Sequence, residues 1–141
     1  MKGVLKMFEN TKLLSTFLTF KGNAEEAMNF YVSLFPNEAK IHSVVKFEEG
    51  QNGPVGKILN ATVEIKGHSL MFMDMEPQFA PDFSWATSLL VVCNDEAQFD
   101  SLFNSLSKDG SIMMGPEAIP PMRKVAWITD RFGVTWQLVW S

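Results

Sequence analysis

The chain changes its hydropathy period twice, in the same way each time. An apolar run from Leu14 to Phe20 reads as a strand. It gives way at Asn23 to Ala27, Phe30, Tyr31 and Leu34, spaced i, i+3, i+4, i+7 like one face of a helix. Seventy-two residues on, the run Leu89 to Cys93 gives way at Asp95 to Phe99, Leu102, Phe103 and Leu106 in the same register. The start signals correspond as well. Asn23 with Glu26, and Asp95 with Gln98, each predict a capping box, in which the first side chain accepts from an N-terminal amide and the second reaches back to the cap. Pro36 and Gly110 are the predicted stops.

The remainder of each half also matches. Gly67 and Gly133 sit in turns that each lead into a short strand, Ser69 to Met73 and Val134 to Val139. Between helix and last strand, the first half offers Ala39 to Glu48 and Val55 to Ile65 around the turn-forming Gly50 to Pro54. The second half offers Ser111 to Met114 and Arg123 to Thr129 around Gly115 to Pro121. Each half therefore reads as strand, helix and three strands. Module 1 covers about 13–75, a Pro-containing linker about 76–85, and module 2 about 86–141. A βαβββ unit has one helix for a two-faced sheet, so its other face needs a cover. The predicted fold class is α+β: two tandem modules forming a half-open barrel of mixed sheet, helices on the convex side, and a concave pocket built from both halves.

Composition narrows the function. The 141 residues are 46 % hydrophobic, with twelve Phe and four Trp, enough to supply a core. A net charge of -4 leaves no surplus of cations for phosphates, so neither nucleic acid nor a membrane surface is an expected partner. The single cysteine, Cys93, rules out an internal disulfide or a cysteine-based metal site. Met1 to Asn10 is charged throughout and lacks the apolar centre of a signal peptide, and no apolar run approaches a membrane span. A cytoplasmic location is expected.

Two stretches then carry a resemblance. Phe20-Lys21-Gly22-Asn23-Ala24-Glu25-Glu26-Ala27-Met28-Asn29-Phe30-Tyr31, together with Asp130-Arg131-Phe132-Gly133-Val134-Thr135-Trp136-Gln137, resembles PhnB-like proteins of the vicinal oxygen chelate superfamily, relatives of glyoxalase I and of the bleomycin- and fosfomycin-resistance proteins. The likeness runs from about Leu13 to Trp140. It implies paired βαβββ modules, a glyoxalase-like single domain and a homodimer. Such sequences often carry the label 3-demethylubiquinone-9 3-methyltransferase. A nucleotide-fold methyltransferase needs a glycine-rich turn between an early strand and helix, and Gly22-Asn23-Ala24-Glu25 holds one glycine.

In metal-using members of the superfamily, the ligands come from the first and last strand of each module. By the resemblance, the matching positions here are Ser15, Met71, Ser88 and Gln137. Only Gln137 has the chemistry of a hard-metal ligand. His42 alternates in phase with Lys40 and Lys46, marking an exposed face, and His68 sits beside Gly67 in a turn. Asp74 and Glu76 read as solvated edge or turn groups. The expectation is no metal and no other cofactor.

Strand alternation gives the pocket lining. Thr16, Leu18 and Phe20 form the apolar set for the helix, which leaves Ser15, Phe17 and Thr19 for the cavity. Leu70 and Phe72 likewise go to the core, and Ser69, Met71 and Met73 to the cavity. Asn60, Thr62 and Glu64 add to this lining from the first half, and Ser88, Trp127 and Gln137 from the second. The set suits a small, partly apolar organic ligand oriented by Asn60, Ser88 and Gln137, with Trp127 able to stack on a planar group. Phe17, Met71 and Met73 fit a closed core equally well. Trp136, Trp140 and Cys93 alternate onto the helix side, and Asp130 is expected to shape the turn before Gly133. Glu64 is the one candidate general acid or base, against the simpler reading of a strand-end glutamate in water. Three functions stay open: a metal-free binding protein, a lyase- or isomerase-type enzyme on a small oxygenated or aromatic substrate, and an interaction module with a filled pocket.

Overall fold

The strand-like run before Asn23 is β1, Thr16–Phe20, and the helical run after it is α1, Ala24–Ser33, in a computed structural model that describes Phe8 and residues 13–141. Three strands follow: β2, Ala39–Lys46; β3, Ile58–Ile65; and β4, His68–Asp74. They form a four-stranded sheet in the order β1-β4-β3-β2. β1 and β4 are parallel, joined through the helix crossover that parallel neighbours require, and the other pairs are antiparallel. The chain divides between Pro81 and Asp82 into two compact units.

The second unit repeats the plan with β5, Ser88–Val92; α2, Glu96–Ser107; β6, Ser111–Ile119; β7, Met122–Thr129; and β8, Thr135–Trp140. Its sheet order is β5-β8-β7-β6, with β5 parallel to β8. Among the described residues, no helix is long and apolar enough to cross a membrane.

Each helix covers one face of its own sheet. In the first unit Phe20 stacks on Phe72 at 5.7 Å between ring centres, and Tyr31 of α1 lies against Phe72 at 6.0 Å. In the second unit α2 buries Phe99, Leu102 and Leu106. Lys124 reaches from β7 over the Phe99 ring, which marks the face shared by Lys124, Ala126 and Ile128 as the helix side. Trp136 and Leu138 pair with Ile128 and Ala126 on that same side, and Cys93 is buried.

Two buried carboxylates hold the strand ends. Asp130 is 4 % exposed. One of its oxygens accepts from the amides of Phe132 and Val134 at 2.9 and 3.0 Å, and the other from Trp136 Nε1 at 3.0 Å. The expected turn-shaping role therefore holds, and it also satisfies a buried indole. Asp74 departs from expectation, being 1 % exposed instead of solvated. Its Oδ1 accepts from Gly22 and Ala24 amides at 2.9 and 3.0 Å, and its Oδ2 from the Ile58 amide at 3.0 Å.

That arrangement also replaces the predicted cap of α1. Asn23 makes no side-chain cap bond. Phe20 pairs with Asp74 across the parallel strands, so the carboxylate arrives at the helix N-terminus, where orphan amides and the helix dipole both favour an anion. The cap of α2 is local, as expected: Asp95 Oδ1 accepts from Gln98 N at 2.8 Å. Gln98 Oε1 reaches back one residue further than a capping box does, to the Asn94 amide at 2.7 Å.

Two strand readings need correction. β6 runs through Gly115 and Pro116 to Ile119 instead of stopping at Met114. β6 is an edge strand with irregular register, where proline and bulges are tolerated. Gly115 has φ +84, and a Cβ there would collide with the Val125 carbonyl oxygen. His42 is not in phase with Lys40 and Lys46, because the β2 register slips between Ile41 and Ser43. Lys46 consequently lies on the helix side, 3.2 Å from Glu25 of α1. His68 opens β4 and shares a 2.8 Å hydrogen bond with Thr16 Oγ1.

Candidate functional site

In the first unit, the sheet face turned away from α1 is fixed by register. Phe17 lies opposite Met71, Met71 opposite Thr62, and Thr62 opposite Ser43. A neighbouring row holds Thr19, Met73, Asn60 and Val45, and another holds Ser69, Glu64 and Lys40. The residues expected to line a cavity from this half therefore share one face, with Ser15 just ahead of β1 and half-buried. Phe17 is 47 % exposed, so it does not fill a closed core, whereas Met71 is buried and Met73 half-buried.

Three polar residues on this face are buried without satisfaction. Asn60, Thr62 and Ser69 are 3, 1 and 2 % exposed, and Asn60 Oδ1, Thr62 Oγ1 and Ser69 Oγ have no hydrogen-bond partner. Each such atom costs about 1–3 kcal/mol of desolvation unless something bonds to it. Among the described residues there is one further atom of this kind, Trp127 Nε1 in the second unit.

In the second unit the face away from α2 carries Trp127, opposite Gln137 on β8 and Met114 on β6. Gln137 in turn lies opposite Leu90 of β5. Gln137 Nε2 donates to Ser88 Oγ at 2.8 Å. Thr129 and Thr135 share a hydrogen bond of 2.9 Å, and Thr129 Oγ1 donates to Met113 Sδ at 3.1 Å. Trp85, 61 % exposed, meets Trp127 edge-on at 5.8 Å between ring centres. Leu90 could have been found from its alternation with Ser88. Met114 could not, although it lies within the predicted strand Ser111 to Met114, because the β6 register shifts on both sides of it.

The positions that the resemblance matches to superfamily metal ligands are a poor donor set for a hard divalent ion. Ser88 and Gln137 engage each other, Met71 offers only a thioether, and no group of three His, Cys, Asp or Glu converges among the described residues. Glu64 is half-buried, opposite Ser69 on one side and Lys40 on the other. A surface groove of about 400 Å³ lies elsewhere in the first unit, past Lys21, Gly22, Asn23, Pro54 and Lys57. The amide of Gly22, which lines this groove, already donates to Asp74, so it is not available to an anion.

Paired βαβββ units with an apolar sheet face carrying a few polar anchors define a protein of glyoxalase-like fold. More particularly, the family model described as 3-demethylubiquinone-9 3-methyltransferase matches residues 12–139, and the chain belongs to that family. The PhnB protein of Bacillus cereus, which carries the same methyltransferase label, is 38 % identical. It superimposes with a TM-score of 0.85 over 92 % of this chain and 100 % of that one. Protein YjdN of Escherichia coli K12 is 26 % identical over 141 residues, 89 % of this chain and 92 % of that protein. The fosfomycin resistance protein FosX of Mesorhizobium loti, 14 % identical with a TM-score of 0.58, covers 92 % of this chain and 90 % of that one and shares the fold alone.

Proposed function

We propose that this chain binds a small, partly apolar organic molecule against a sheet face turned away from that unit's helix, without a metal or other cofactor. The observation that carries the reading is the placement of unsatisfied polar atoms. Asn60 Oδ1, Thr62 Oγ1 and Ser69 Oγ in the first unit, and Trp127 Nε1 in the second, all lie on the face opposite the helix of their own unit. Buried polar groups in folded proteins are ordinarily paired, and a set left open on one kind of face is what a ligand would complete. Apolar neighbours such as Phe17 and Met71 supply the remaining contact area.

The methyltransferase label fits these residues poorly. The one turn where a nucleotide-type cofactor would dock has a single glycine, and Asp74 already accepts from the amides of Gly22 and Ala24 there. An enzymatic version of the same reading would assign proton transfer to Glu64, and loss of turnover in Glu64→Gln would be its signature.

The test is a ligand screen read by tryptophan fluorescence, with Trp127→Phe as the site control. Binding is expected to change the wild-type signal, and the change is expected to shrink in the variant. No response to any member of a broad metabolite set would count against the proposal. The metal-free part is checked separately: one equivalent of a divalent ion per chain, lost on Gln137→Ala, would overturn it.

A further inference from the structure

The methionines of this chain differ in how far solvent reaches them. Met113 is 40 % exposed, whereas Met28 and Met71 are 2 and 4 % exposed and Met73, Met75, Met114 and Met122 are half-buried. Among the described residues Met113 is therefore the methionine most open to solvent. Its place in the fold explains why. β6 is an edge strand, and its register passes from Ile112 opposite Ile128 to Met114 opposite Trp127, which leaves Met113 as the extra residue of a bulge.

An exposed thioether is ordinarily free to turn, but this one is held. Thr129 Oγ1 donates to Met113 Sδ at 3.1 Å and shares a 2.9 Å bond with Thr135 Oγ1. A thioether has no proton to give, and each hydroxyl has one. Thr129 directs its proton at the sulfur, so Thr135 is the donor in the second bond. A chain of donors thus runs from buried Thr135 through Thr129 to the sulfur. Of the two lone pairs on that sulfur, Thr129 occupies one. The other is left for a reagent arriving from solvent.

We propose that Met113 is an oxidation site for peroxides, and that Thr129 directs the oxygen to one side of the sulfur. The free lone pair attacks one oxygen of hydrogen peroxide; the S–O bond forms as the O–O bond breaks, and the other oxygen leaves as water with both protons. The peroxide is reduced, and the thioether becomes a sulfoxide with Sδ as a new stereocentre. Attack through the other lone pair first requires the Thr129 bond to break. The worth of one ordinary hydrogen bond then sets an excess of one epimer of about two- to tenfold. The product puts a polar S–O group on the face away from α2, where Thr129 and Trp127 lie, and methionine sulfoxide reductases reverse such a change.

The test treats the full-length protein with dilute hydrogen peroxide and follows each methionine by peptide mass spectrometry, with fragment spectra separating Met113 from Met114. Met113 is expected to oxidise at least about tenfold faster than Met28 and Met71, which a peroxide reaches only through local opening, and ahead of Met73, Met75, Met114 and Met122. The digest is then treated with the two classes of sulfoxide reductase, each of which repairs one epimer. An unequal pair is expected from the folded wild type, and a near-even mixture from wild type oxidised in urea and from Thr129→Val. If another of these methionines oxidises first, the site is overturned. Equal epimers from the folded wild type, or an unchanged excess in Thr129→Val, overturn the directing role of Thr129.

Discussion

A buried hydroxyl kept for a ligand should cost the free protein stability, and Thr62→Val measures that cost. Thr62 is 1 % exposed, its hydroxyl has no partner, and its cross-strand neighbours Met71 and Ser43 leave it beside a thioether on one side. Valine keeps the volume and the β-branched shape, so the exchange removes only the unsatisfied group. A gain of about 1–2 kcal/mol is expected, or roughly 3–8 °C in Tm for a chain of this size. The matched control is Thr135→Val. Thr135 is also 1 % exposed, but its hydroxyl is bonded to Thr129 at 2.9 Å. The same exchange there should destabilise by about 1 kcal/mol. Urea unfolding checked by calorimetry would give both values. If Thr62→Val destabilises as much as Thr135→Val, the Thr62 hydroxyl is satisfied in solution and the argument from unsatisfied atoms is refuted.

Removing the buried charge of Asp74 in Asp74→Asn leaves one acceptor where three amides converge, and should cost about 2–4 kcal/mol in urea unfolding; a loss within experimental error would show that the Asn23 end of α1 is held in another way. Lys124 has a pKa raised above its ordinary 10.5 by the hydrogen bonds its ammonium donates to Asp100 first and Glu96 second. Its contribution should therefore be fully present at neutral pH and fade as pH rises through the raised value, so that the stability difference between wild type and Lys124→Met narrows only above about pH 10; a difference that is flat across that range would count against the ion pairs. A homodimer is proposed from the family resemblance and from the exposed aromatic Phe79 in the linker, 71 % exposed; light scattering should give a dimer mass that falls in Phe79→Ser, and a monomer at micromolar concentration would remove the proposal.

Most of the fold was legible because it rests on period. The switch from alternation to helical spacing occurs at Asn23 and again at Asp95, and both helices begin within a residue of these points. Where the reading slipped, a long-range partner had overridden a local signal. Asn23 looked like a cap until Asp74, fifty residues away from Ala24, took the amides. Gly115 and Pro116 looked like a loop because both residues punctuate chains, yet an irregular edge strand accommodates them. His42 looked exposed in phase with two lysines, but one slip in register moved Lys46 to the helix side.

The candidate site shows where alternation stops being informative. Period two was enough to put Asn60, Thr62 and Met71 on one face, and Ser88, Trp127 and Gln137 on another. It could not reveal which of their polar atoms would be satisfied, since that depends on what stands opposite in the neighbouring strand. Gln137 reaches Ser88, and Thr129 finds Thr135. Thr62 instead meets Met71, and Ser69 leaves its hydroxyl unbonded although Glu64 stands opposite. The two units thus share a plan and differ in polar accounting: on the face away from its helix, the second pairs most of its side-chain groups internally, and the first keeps three open. A repeat that conserved only the fold would have no reason to concentrate open hydrogen-bonding groups in one copy. That asymmetry makes the first sheet the face to probe first and Thr62 the residue on which to begin.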